Sequence, residues 1–195
     1  MTTFADILTD VYTLTDRQHL TNESKLGIRA ATIKLHGMEF WREDRVEEEV
    51  AVTVSESQFN LNISTALANP CRKINAIKKM DSDVYFEEID PTQLLDGFGH
   101  RRYNTYYRVG NVLNFLTDTG DTSVYFIYYK QPVAVETGYS SWIADTYPIL
   151  VAMEAASFVL STIGDKEAAA KIDVMKMEQL NVLLINHLDP VSSNS

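Results

Sequence analysis

A chain of 195 residues with a formal charge of −10 is long enough to enclose a core and too acidic for broad adhesion to nucleic acid or anionic lipid. Its one cysteine, Cys71, excludes an intrachain disulfide and a multi-cysteine zinc site. The start MTTFADILTD lacks the basic residues and apolar run of a signal peptide, so the chain reads as cytoplasmic at synthesis, with the sequons at Asn22 and Asn62 unused.

Thr3 precedes Asp6 by three residues, a near capping box, and Phe4, Ile7, Leu8 and Val11 share one helical face, which predicts a short amphipathic helix. LTNESKLGIRAATIKLHGM predicts a second helix. Its apolar residues form two stripes, Leu26, Ala30 and Ile33 on one and Ile28, Ala31, Leu35 and Met38 on the other, so it needs partners on both sides. After Trp41 the period becomes two: Val46, Val50, Val52 and Val54 alternate with Glu47, Glu49, Ala51 and Thr53, and Phe59, Leu61 and Ile63 follow a turn at residues 55–57. The carboxylates of Glu47, Glu48 and Glu49 read as a solvated strand start or an acidic contact surface. RKINAIKKM and VYFEEI predict one hairpin, NTYYRV and VLNFL another across Gly110-Asn111, and SVYFIYYKQPV the last strand. PTQLLDGFG predicts one helical turn over the sheet, opened by Pro91.

The helical period returns at Tyr147. Pro148 sits in a first turn, Gly164 lies just past the end, and Asp165 caps a final helix, KEAAAKIDVMKMEQLNVLLINHL. The tail DPVSSNS has too little apolar surface to hold itself. The fold class is α+β: a helical bundle from residues 1–40 and 145–188, an inserted antiparallel β-rich region over 41–144, and a flexible tail over 189–195.

Motifs for chemistry are few. There is no phosphate-binding glycine loop, HExxH, CxxC or GxSxG. Asp118-Thr119-Gly120 matches the short aspartic-protease string but sits in the turn-like TDTGDT. His19, His36, His100 and His187 are too dispersed to suggest a metal site. The chain is therefore read as no enzyme, with no catalytic residue, metal or cofactor. HRRYNTYYR, residues 100–108, carries Arg101, Arg102, Tyr106 and Arg108, types that suit a packed strand, a protein contact or nucleic acid.

The stretch YPILVAMEAASFVLSTIG, residues 147–164, has Glu154 as its one charge. It falls short of the ~20 apolar residues that span a bilayer, and it is apolar almost all round apart from a stripe of Glu154, Ser157 and Ser161. A surrounded core helix and a subunit interface both fit. The breadth of the final helix favours an interface through Leu150, Phe158, Leu160, Ile172, Leu180 and Leu184.

The N-terminal helix pair ending in GMEFW, the strand-rich middle, YYKQPV and the late YPILVAMEAASFVLSTIGDKEAAAK together resemble the head-to-tail adaptor proteins, also called connector or head-completion proteins, of tailed bacteriophages. The resemblance runs over residues 3–188. It implies a non-enzymatic virion protein in the head-tail neck, assembled from host cytoplasm as a ring of twelve copies. The ring would join the portal to a tail or nozzle protein and help seal the genome, with DNA passing through unbound and no membrane involved. Arg101, Arg102, Tyr106, Arg108, Pro190 and Val191 are the candidate partner contacts. The alternative is a small non-enzymatic binding module whose β layer forms a pocket for a small molecule or peptide, or contacts nucleic acid through HRRYNTYYR.

Overall fold

The computed structural model describes residues 1–54, 57–80, 82–118 and 123–188. The helices are α1 (Phe4–Thr15), α2 (Thr21–Met38), α3 (Ile63–Ala66), α4 (Trp142–Thr146), α5 (Pro148–Thr162) and α6 (Lys166–His187). The strands are β1 (Arg45–Ala51), β2 (Gln58–Asn62), β3 (Cys71–Lys79), β4 (Glu87–Glu88), β5 (Thr105–Val109), β6 (Val112–Leu116) and β7 (Ser123–Lys130). The chain is α+β and divides into a helical unit, Met1–Asp44 with residues 131–188, and a β unit, Arg45–Lys130.

In the helical unit the predicted caps form. Thr3 and Asp6 exchange the two hydrogen bonds of a capping box at the start of α1. Asp165 accepts the Ala168 N–H at the start of α6, and Gly164 turns the chain there with φ of 84°. Helix α5 is the hub, packed by α1, α2, α4 and α6, because a helix apolar on nearly every side has no face to give to water. The α2–α5 approach is close: a Cβ on Gly27 would lie 3.0 Å from the Ala155 carbonyl oxygen and 3.3 Å from Val159 Cγ2.

The helical unit reaches further than the sequence pattern suggests. Trp41 is fully buried in its core beside Tyr139, Ile143 and Ala144, and the Trp41 indole donates to the Leu35 carbonyl at 2.8 Å. Residues 41–44 and 131–144, which the change of period assigns to the β-rich region, therefore belong with the helices. Their link is side-chain packing, which a backbone period does not report.

The β unit holds two sheets, ordered β1-β7-β3 and β2-β6-β5-β4. β7 is the centre of the first, antiparallel to both neighbours. The predicted β5–β6 hairpin forms across Gly110, whose φ is 61°. The other predicted hairpin is only begun: Lys78 bridges Tyr85, and then Glu87–Glu88 leaves to pair parallel with β5. The antiparallel expectation is thus corrected to a mixed second sheet at this one short pairing. Phe86 still donates its N–H to the Ile77 carbonyl at 2.8 Å, its ring lies beside Phe115 with centroids 5.1 Å apart, and only the next two residues pair parallel with β5. One core serves both sheets. Phe59 stacks on Phe115 at 4.4 Å, and Phe115 meets Phe126 of the other sheet edge-on at 6.5 Å. The predicted turn at Pro91 is a single 3-10 turn, Pro91–Gln93, capped by Asp90.

Two outcomes check this packing by urea unfolding. Gly27→Val, whose branched side chain must enter the α2–α5 contact, should lose about 1–3 kcal/mol, whereas Gly27→Ala should change stability little, its gain in helix propensity of about 1 kcal/mol being offset by the tight approach. Phe115→Ala should lose about 3–5 kcal/mol.

Candidate functional site

The lone charge of α5 is answered by tertiary partners. Glu154 is 8% exposed; its Oε1 accepts from Lys34 of α2 at 2.5 Å and its Oε2 from Lys176 of α6 at 2.8 Å. Lys176 also donates to Asp173 at 2.6 Å, and Asp173 accepts the Ser157 hydroxyl at 2.9 Å. The polar stripe of α5 thus becomes a lane that joins three helices. Burial pushes the Glu154 carboxyl up, but the Lys176 and Lys34 ammoniums outweigh it and hold the group below its ordinary range. Burial lowers Lys176, and its bonds to Asp173 and Glu154 more than reverse that.

A second network lies deeper. His36 donates through Nδ1 to Asp44 Oδ2 at 2.8 Å, since a carboxylate can only accept. Asp44 also accepts the Trp142 indole N–H at 2.9 Å, and the Ser141 hydroxyl lies 2.9 Å from His36 Nε2. Serine, histidine and aspartate are connected as in a nucleophilic triad. Ser141, however, is 5% exposed, and its oxygen accepts the Ala144 N–H as the cap of α4. The arrangement ties α2, residue 44 and α4 together. Beside it His187 reaches Glu43 at 2.6 Å and lies 3.1 Å from the Tyr147 hydroxyl.

The interface residues predicted from sequence separate into two groups. Leu150, Leu160 and Ile172 are buried in the chain's own core. This corrects their assignment to a subunit interface, because the other side chains of the helical core already cover them. Leu180 and Leu184 are half-buried against the same core, and Phe158 is 37% exposed. The open apolar surface lies elsewhere: Leu26 and Ile33 on α2, 56% and 50% exposed, and Val174 and Ile185 on α6, 74% and 82% exposed.

The predicted partner strand does not act as one surface. Tyr106 points into the β core, where burial and Glu88 push its phenol up, and this corrects its assignment as a contact. Arg102 approaches Glu87 at 3.6 Å, and Arg108 donates to the Gly110 carbonyl in its own hairpin. Arg101 lines a cleft of about 570 Å³ with Gln58, Asn60, Tyr107 and Asn114. Pro190 and Val191, with the rest of the tail, lie outside the described residues.

The remaining signals are absorbed locally. Glu47 accepts from Arg45 and Tyr125, and Glu48 from Tyr128 and the Ala68 N–H. Asp118 pairs with the buried Lys79, while Thr119 and Gly120 of the protease-like string lie outside the described residues. Burial pushes the Cys71 thiol up, away from nucleophilic use. Among the described residues no group of three or more His, Cys, Asp or Glu is placed to hold a metal ion, and no helix is long and apolar enough to cross a membrane.

Sequence reasoning missed the cationic partners of Glu154, the His36–Asp44 pair and most of the residues that line the cleft of the β layer. One signal was present: a carboxylate amid an apolar helix demands a cation. Nothing along the chain selects Lys34 and Lys176 for that task. No protein-family model matches the chain, and no curated protein matches it.

Both networks have measurable consequences. Glu154→Gln should lose about 1–3 kcal/mol. Because the folded Glu154 value is depressed, its contribution is complete above about pH 4.5, the ordinary glutamate value, and is lost as pH falls through the lower folded value. An acid titration followed by circular dichroism should therefore be shallower below that pH in the variant. Asp44→Asn, which can keep an oxygen for the Trp142 N–H but then sets its amide N–H₂ against the His36 donor, should lower stability by about 1–3 kcal/mol, read as a reduced urea midpoint with unchanged slope.

Proposed function

We propose that this chain is a structural virion protein of the head-to-tail adaptor type, which forms a ring that joins the portal of a tailed bacteriophage to its tail or nozzle protein and helps seal the packaged genome. The observation that carries the proposal is the presence of exposed apolar side chains on two helices of one unit, Leu26 with Ile33 on α2 and Val174 with Ile185 on α6. A closed ring is built from heterologous contacts, in which one face of each copy meets a different face of the next. Exposed apolar residues on two different helices suit that requirement, and the occupant of each is a second copy of this chain.

Charge supports the same reading. The net charge of −10 lets DNA pass through a ring without phosphate-driven retention. The buried Ser141 and the locally paired Glu47, Glu48 and Asp118 suit a protein whose work is assembly rather than turnover. In this reading the site of action is the virion neck, reached from the host cytoplasm. The number of copies, twelve, rests on the family resemblance.

The test uses two surface variants, Leu26→Asp with Ile33→Asp, and Val174→Asp with Ile185→Asp. Exposed positions should tolerate these changes within about 0.5 kcal/mol per site, so thermal melts should stay near wild type. Mass photometry with portal protein present should show rings for wild type and monomers for each variant alone. An equimolar mixture of the two variants should stop at dimers, since only one intact contact remains. A wild type that stays monomeric on the portal, or variants that both form rings, would overturn the proposal.

A further inference from the structure

We infer that the cleft on the outer face of the β2-β6-β5 sheet is a binding site for a neutral saccharide. The β2 and β5 pairings with β6 place Asn60, Asn114 and Tyr107 in one row across three strands, and Gln58 lies two residues before Asn60 on the same face. Their neighbours Phe59, Leu61, Tyr106, Leu113 and Phe115 point into the core. The alternation that builds the core therefore builds the floor of the cleft.

The facing wall is already formed. Asp90 caps the 3-10 turn through the Thr92 N–H. Asp96 accepts from the backbone of Phe98 and His100 at 2.8 Å each, and Arg102 donates its backbone N–H to the Leu94 carbonyl. Pro91, Leu94 and Leu95 are thereby held against the cleft, with Arg101 at its side. A volume of about 570 Å³ lies within the usual range for small-molecule sites, and a pre-formed wall reduces the ordering cost of binding.

The lining chemistry selects the ligand class. Among the described residues, the side chains of Gln58, Asn60, Arg101, Tyr107 and Asn114 make no hydrogen bond or ion pair within the chain. Three of them are primary amides, each offering a donor and an acceptor at fixed geometry, which matches hydroxyl groups that also do both. Paired strands stand about 4.8 Å apart, so the amide row has a pitch suited to alternate hydroxyls around a pyranose. Leu94, Leu95 and the Tyr107 ring give apolar surface for the C–H face of a sugar.

The same lining argues against other ligands. It contains no carboxylate, so it offers neither a cation site nor the acid pair that glycoside cleavage needs. One arginine in a chain of net charge −10 is weak attraction for a polyanion. A nucleobase is better held between two planes, and among the described residues Tyr107 is the one aromatic ring on the outer face of this cleft.

The experiment is saturation-transfer difference NMR on the full chain, which reads the ligand and works for monomer or ring alike. The probes are glucose, galactose, mannose, N-acetylglucosamine, maltose and cellobiose, with adenosine and uridine as the competing class. At least one saccharide should receive transfer, and its Kd should rise about tenfold in Asn114→Ala and in Asn60→Ala. Asn60 is exposed and Asn114 half-buried on the outer face, so circular dichroism melts should stay near wild type, and either variant suffices should the other misfold. No transfer to any saccharide, transfer unaffected by both substitutions, or transfer to the nucleosides alone would each overturn the inference.

Discussion

Helix α5 must be enclosed, and most of the helical unit follows from that. Its buried residues lie on nearly every side, from Leu150 and Val151 through Ala155 and Ala156 to Leu160. A helix with no solvent face is stable only when neighbours cover it, and α1, α2 and α6 do so. Small residues at the contacts decide how closely they approach: Gly27 of α2 lies against the α5 backbone, where no Cβ fits without displacement. Glu154 fixes the rotation, because only one setting of α5 brings its carboxylate between Lys34 and Lys176.

Buried polar groups act in the same direction. The His36, Asp44, Ser141 and Trp142 network joins segments about a hundred positions apart, and His36, Asp44 and Ser141 are buried, where polar groups must find partners. Replacing one of them leaves a donor or acceptor orphaned, so the network specifies one arrangement more than it adds net stability. In the β unit, aromatic packing has this role. Phe115 touches Phe59, Phe86, Tyr106 and Phe126, so one ring ties together strands of both sheets.

Once these interiors are closed, two kinds of surface remain. The helical unit keeps exposed apolar side chains on α2 and α6, which suit association between copies. The β unit keeps a polar cleft whose amides have no partner among the described residues, which suits a small hydroxylated ligand. Those apolar side chains carry the reading as a ring adaptor and the cleft carries the saccharide inference. Each stands without the other, since their residues belong to different units.

Much of the secondary structure was legible in the sequence because local chemistry decides it. The Thr3–Asp6 box, the Gly164 turn, the Asp165 cap and the turn at Gly110 each act within a few residues, and the change of period after Trp41 marked the start of the strands. The sequence also showed that α5 lacked a solvent face. It did not show which residues would cover it, so Leu150, Leu160 and Ile172 read as interface when they are core. Tertiary packing alone decided that Glu154 meets Lys34 and Lys176, that His36 meets Asp44, that Tyr106 turns inward, and that Asn60, Asn114 and Tyr107 share a row. Those pairings join distant segments through side chains, whereas periodicity along a chain records only which way a residue faces and not what it faces.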